Sequence, residues 1–303
     1  MNCRPLALAT LLLTAIAAYA DPAALRLVDD GGHELVLPHP AQRIVTLAPH
    51  LTELVYAAGA GNRLVAVGKY SDFPPEATAK PVISDAFTVD YERLTQLKPD
   101  LVLVWGSGTP ERIKTKLRTL GMPVYEIEIR SVAGLADTLR NIGRLAGTQG
   151  VAQARAQQIA NDWAALKSSY ANRRPVRVFF QLWDAPLMTF NGQHLISSAI
   201  TACGGVNVFS ELPTLTAAVS WEVAVQRDPE LVLTDSNAGV PPKPGRWAEF
   251  AQVSATRHGE FGHIEGNLIA RSGPRFVDGA RELCVAIDHA RQGLPQPMFS
   301  ATH

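Results

Sequence analysis

Residues 91–105 read YERLTQLKPDLVLVW, and residues 221–235 read WEVAVQRDPELVLTD. Glu92 matches Glu222, Gln96 matches Gln226 and Pro99 matches Pro229. Leu101-Val102-Leu103 matches Leu231-Val232-Leu233, an aromatic leads each copy, and an acid (Asp100, Glu230) precedes each apolar run. One segment used twice implies two similar lobes rather than one continuous sheet. It also puts one carboxylate at the same local position on each lobe, as a two-fold partner gripping both sides requires.

The pattern around each copy is strand, helix, strand. Residues 25–30 and 33–37 flank Gly31-Gly32 and read as a hairpin. RIVTLA (43–48), LVAVG (64–68), DLVLVW (100–105) and PVYEIE (123–128) read as short apolar strands. Helices are expected from Thr52 to Ala58 and over 110–120, and Glu92 and Glu222 each open another. Near-continuous apolar strands between helices mean parallel sheets covered on both faces. From about Gly150 to Tyr170 the apolar spacing of Ile159, Trp163, Leu166 and Tyr170 predicts one long helix joining the lobes. The alternation restarts with strands at 176–182 and 187–190, a helix near 194–203, strands at 230–235 and 262–264, and a last helix from Pro274 to Arg291. The expected divisions are an N-terminal lobe over 21–148, a connecting helix over 149–172, a C-terminal lobe over 173–292 and a tail over 293–303.

The first 20 residues read as an export signal. Arg4 precedes an apolar run ending in Ala18-Tyr19-Ala20, a small-x-small cleavage pattern. The run is too short to span a bilayer, and Cys3 lies before it, where no lipid anchor is expected. The mature protein is expected outside the cytoplasm with two cysteines, Cys203 and Cys284. Exported cysteine pairs usually oxidise; two separate buried thiols are the alternative. Lys plus Arg and Asp plus Glu number 28 each, so no net field favours nucleic acid.

No catalytic or metal motif is visible. G-x-S-x-G, the phosphate-cradling Gly-Lys-Ser/Thr loop and H-E-x-x-H are missing, and the eight histidines are scattered. Asp184 and Asp235 end strands but suit helix caps or turns equally well. The strand ends instead carry flat or rigid side chains: Pro49-His50, Tyr70, Trp105 before Gly106-Ser107-Gly108, and Trp183. Ligands of open α/β sheets bind beyond the carboxyl ends of the strands. Such ends from both halves describe a cleft for a large flat ligand.

The chain resembles the periplasmic solute-binding proteins that serve importers of cobalamin, ferric siderophores and haem, and is most similar to the cobalamin-binding branch. The resemblance is carried by residues 43–77 with YSDFPP, by 91–124, by ACGGVNVF (202–209), by 219–233 and by ARSGPRFVDGARELC (270–284). It implies two Rossmann-like lobes joined by one long helix, a stiff hinge, a ligand between the lobes and no enzymatic cofactor. Tyr70 and Trp105 match pocket aromatics of the family, and Arg271 matches a polar pocket position. Ala86, Met188 and Thr216 stand where aromatics are expected, with Phe87 and Trp183 as neighbours that compensate. Glu92 and Glu222 match the carboxylates that dock on an inner-membrane ABC permease dimer, and Cys203 and Cys284 match a bridged pair. The resemblance therefore implies a monomeric periplasmic carrier of cobalamin or another corrinoid. Haem, with Tyr70 or His50 as axial ligand, or a ferric siderophore is the alternative cargo. An exported enzyme of chelatase-like type is the reading from another class, and the scattered histidines speak against it.

Overall fold

The structure, a computed structural model, describes residues 24–236 and 244–293. The signal segment 1–20 and the tail beyond 293 lie outside the described residues. Strands β1 (Leu25–Val28) and β2 (Glu34–Leu37) form an antiparallel hairpin. The first lobe follows as β3 (Ile44–Thr46), α1 (Pro49–Ala57), β4 (Leu64–Gly68), β5 (Val82–Ser84), α2 (Tyr91–Leu97), β6 (Leu101–Trp105), α3 (Glu111–Thr119) and β7 (Val124–Ile127). Its five strands run parallel in the order β5-β4-β3-β6-β7. The hairpin closes the open edge of β7, because Asp29 and Asp30 accept hydrogen bonds from the Glu126 and Glu128 amides.

Helices α4 (Val132–Ala146) and α5 (Gln149–Tyr170) lead to the second lobe. There β8 (Val176–Gln181), β9 (Trp183–Asp184), β10 (Leu187–Phe190), α6 (Leu195–Ala202), β11 (Gly205–Asn207), β12 (Thr216–Ala218), α7 (Trp221–Gln226) and β13 (Leu231–Ser236) follow one another. The chain ends with α8 (Ser254–His258), β14 (Phe261–Glu265), α9 (Gly266–Ile269) and α10 (Phe276–Gly293). A parallel sheet ordered β11-β8-β13-β14 is accompanied by an antiparallel ribbon β12-β10-β9.

The repeated segment is repeated in three dimensions. β6 lies between β3 and β7, and β13 lies between β8 and β14. Each preceding helix ends on a residue with positive φ, Lys98 at 45° and Asp228 at 42°. A proline then stops the helix, and the acid after it ties the neighbouring strand. Asp100 accepts from the Gln42 and Arg43 amides, and Glu230 accepts from the Arg177 amide. The matched acids are therefore structural.

The long helix α5 packs on α4 and α1 on the side of the first lobe and on α10 and α6 on that of the second. One apolar cluster accordingly runs from the hairpin through α4 and α5 into α10, while separate clusters fill the outer face of each sheet. Gly143 lets α5 come close, since a Cβ there would lie 2.3 Å from that of Ala152. Cys203, capping α6, is joined to Cys284 in α10, closing a separation of 81 residues. Among the described residues no helix is long and apolar enough to cross a membrane.

Two expectations need correction. Helix α1 begins at Pro49, not Thr52, because proline suits the first helical turn, where its missing N–H costs nothing. The alternation argument assigns no helix over 132–146, where α4 stands with Ser131 as its N-cap and Gly147 as its left-handed stop.

Candidate functional site: a cleft between two lobes

The carboxyl ends of β3, β4 and β6 meet above an apolar recess of about 140 Å³, lined in part by Leu47, Pro49, Tyr70, Ala86, Trp105 and Ile113. Trp105 is its wall. The indole is packed against the backbone of the following loop: a Cβ on Gly108 would lie 1.8 Å from the ring. His50 meets the same indole edge-on at 5.1 Å. The Gly-rich loop is thus the seat of the tryptophan, a reason that sequence alone does not reveal. Tyr70 follows β4 with φ of 66° and is 68% exposed, with the Lys69 ammonium 5.1 Å from the ring centroid. A left-handed backbone at a tyrosine is uncommon and marks a constrained site.

His50 does not line this recess, contrary to its expected place at the cleft surface. It is 5% exposed behind Trp105. Burial, aided by the positive charge of Arg271, pulls its pKa down to about 4. Phe87 follows the lining residue Ala86 and is 70% exposed, with its carbonyl accepting from Arg112.

On the second lobe Trp183 (63% exposed) and Met188 are register partners on β9 and β10. Beside Trp183, Gln181, Asp184, Thr234 and Asp235 line a polar recess, and burial raises the pKa of Asp235. A third recess of about 340 Å³ joins the lobes. Trp105, Ser107, Glu128 and Arg130 face His194, Leu215, Thr216 and Ser272 across it. The apolar recess alone is too small for a drug-sized ligand, but it shares Trp105 as a wall with the recess that joins the lobes, so the two together suit a larger ligand.

Arg271, expected at a polar pocket position, is engaged within the protein. Its guanidinium donates to Glu53 at 3.1 Å, to Asp72 at 2.6 Å and to the Tyr70 carbonyl at 3.3 Å. Arg275 donates two further hydrogen bonds to Glu53, at 2.9 and 2.6 Å, and stacks on Phe73 with its centre 3.9 Å from the ring. Glu53 lies in α1 and is 2% exposed. Two arginines of the second lobe thus grip one buried carboxylate of the first. Such charges are tolerable only because each is paired and hydrogen-bonded. Hydrogen bonding from Arg271 holds Asp72 below the ordinary carboxylate range. Glu53 carried no signal in the sequence, since an acid inside a helix reads as a solvent-facing one.

Glu92 and Glu222 are exposed, each in the first turn of a helix that leads into a matched strand. Asp90 caps α2 by accepting from the Arg93 amide, and Ser220 caps α7 by accepting from the Val223 amide. The caps are therefore separate residues, and neither glutamate is needed to end its helix. Its own backbone amide, the Ser220 hydroxyl and the charge of Arg246 hold Glu222 below the usual carboxylate value.

The profile of the family described as "Periplasmic binding protein" matches residues 44–264. The vitamin B12-binding protein of Vibrio cholerae is 33% identical over 258 residues, which cover 85% of this chain and 93% of that protein. The crystal structure of the periplasmic vitamin B12-binding protein of Vibrio cholerae aligns with a TM-score of 0.75 at 32% identity, covering 84% of this chain and 99% of that one. The periplasmic heme-binding protein of Roseiflexus sp. RS-1 aligns with a TM-score of 0.71 at 21% identity over 83% of this chain and all of the other. At that identity the likeness is one of fold.

Proposed function

Starting from the fact that the chain belongs to the periplasmic binding protein family, we propose that it captures cobalamin or a related corrinoid and delivers it to an inner-membrane ABC permease. The observation that carries this reading is the indole of Trp105, held by Gly108 and His50 at the mouth of an apolar recess beside the exposed ring of Tyr70. A flat macrocycle is bound by aromatic faces and apolar area, with few polar groups fixing its orientation. Pro49, Tyr70 and Trp105 form the first-lobe wall of the site, and Trp183 and Met188 form the other. Phe87 adds apolar surface beside Ala86. Arg271 acts through its grip on Glu53 and the Tyr70 carbonyl.

Delivery uses Glu92 and Glu222. They are exposed, matched by the internal repeat, and not consumed by capping. The helix termini beneath them favour negative charge, so each offers a fixed anion to basic pockets on a symmetric permease pair.

Titrating purified protein with cyanocobalamin, followed by the change in corrin absorbance and by calorimetry, tests the reading. One-to-one binding is expected, and Trp105→Ala should weaken it by about 1–3 kcal/mol. Absence of binding to every corrinoid, together with a Soret band on adding haem that is lost in Tyr70→Ala, would replace the cargo with haem, since Tyr70 is the exposed candidate for an axial oxygen ligand.

A further inference from the structure

The recess that joins the lobes has a donor whose direction is fixed. The His194 ring lies parallel to Phe190, with centroids 4.4 Å apart and planes at 13°. Its Nδ1 is 3.2 Å from the backbone nitrogen of Ile196, the second residue of α6. That nitrogen is a donor, so Nδ1 accepts and the proton of the neutral ring sits on Nε2. Burial lowers the pKa of His194 to about 4, which keeps the ring neutral and the tautomer single at ordinary pH. Stacking and the helix cap lock the side chain from two directions.

Across the recess stands Arg130. It forms a long ion pair with Glu128, whose Oε1 lies 3.9 Å from the Arg130 Nε while Oε2 accepts from the Ser107 amide at 2.7 Å, so the guanidinium N–H groups beyond that pair remain for a ligand. Ser272 adds a hydroxyl on the far wall. The recess thus gathers an imidazole N–H, a guanidinium and a hydroxyl, with the Glu128 carboxylate beside the guanidinium. Trp105 separates it from the apolar recess while lining both.

We infer that this recess is a subsite for an anionic appendage of the ligand, the phosphodiester of the nucleotide loop of a complete cobalamin, with His194 and Arg130 as its donors; the inference rests on the corrinoid reading above. A macrocycle stacked at Trp105 and Tyr70 leaves its lower appendage beside the shared wall. Sites built to hydrogen-bond a substrate group discriminate strongly against analogues that lack it, because the donors are then left unpaired. The protein is therefore selective for corrinoids that carry the loop over those that end at the amide-bearing ring.

Dissociation constants for cyanocobalamin and for dicyanocobinamide, which lacks the nucleotide loop, test this. The wild-type protein should bind cyanocobalamin about tenfold more tightly or better, the size of one charge-assisted hydrogen bond. His194→Phe keeps the stacked ring but removes the donor, and Arg130→Met removes an exposed charge with little risk to folding. Each should weaken cyanocobalamin about tenfold and leave dicyanocobinamide unchanged. Equal losses for both corrinoids, or no loss for either, overturn the subsite while the corrinoid reading stands. Binding of neither corrinoid by the wild type overturns both.

Discussion

His50 shows how a buried residue can hold a neighbouring aromatic in place. It supports the edge of Trp105 and titrates far from the usual histidine range. Its pKa in the unfolded chain is near 6.5 and in the folded protein about 4. Between those values the unfolded state binds a proton that the folded state refuses. This contribution to stability is therefore complete above about pH 6.5 and is lost progressively down to about pH 4. His194 adds in the same direction over the same window. Asp72, held low by Arg271, contributes above its ordinary value near 3.8 and is lost only as the pH falls below that. Calorimetric Tm values should fall from pH 7 to pH 4. His50→Phe keeps the aromatic edge and removes the titration, so its decline should be shallower. An unchanged slope would mean that His50 is protonated in the folded protein.

Among the elements, the matched helix and strand pairs were the most legible part of the chain, because everything that builds them is local. The cap, the left-handed stop, the proline and the acid tying the next strand all lie within one short motif, as Asp90, Lys98, Pro99 and Asp100 show. Helix α4 was missed although Leu135, Leu139 and Ile142 recur at helical spacing, because Gly134 and Gly143 interrupt the pattern. Gly143 is there for its neighbour, which no local reading detects. The aromatics of the site were legible as strand-end residues. The role of Arg271 was not, because an arginine aimed at a ligand and one aimed at a carboxylate 218 positions away look alike in sequence. The bridge between α6 and α10 belongs to this scale too. Cross-linking over 81 residues restricts the unfolded chain, worth about 4 kcal/mol in the loop-entropy picture. The double variant Cys203→Ala with Cys284→Ala should lose stability of that order in denaturant melts. Near-unchanged stability would show that packing of α6 on α10 suffices without the bond.

At the scale of the whole molecule, the proposed function assigns capture and delivery to separate surfaces. The aromatic wall faces the cleft, and the two glutamates stand on exposed helix starts. Replacing both Glu92 and Glu222 by alanine should abolish transport in a reconstituted permease assay while leaving the dissociation constant for cyanocobalamin within about twofold, since exposed charges contribute little to a remote pocket. Matching losses in both assays would assign these residues to the pocket or the fold.

The joint made by Glu53 with Arg271 and Arg275 lies beside the helical spine α5, which reaches the same segment through Arg155 donating to the Pro274 carbonyl. Pulling the halves apart along this edge would strand the Glu53 carboxylate, almost wholly shielded from water, without its two counter-ions, so the seam is costly to part where those charges meet.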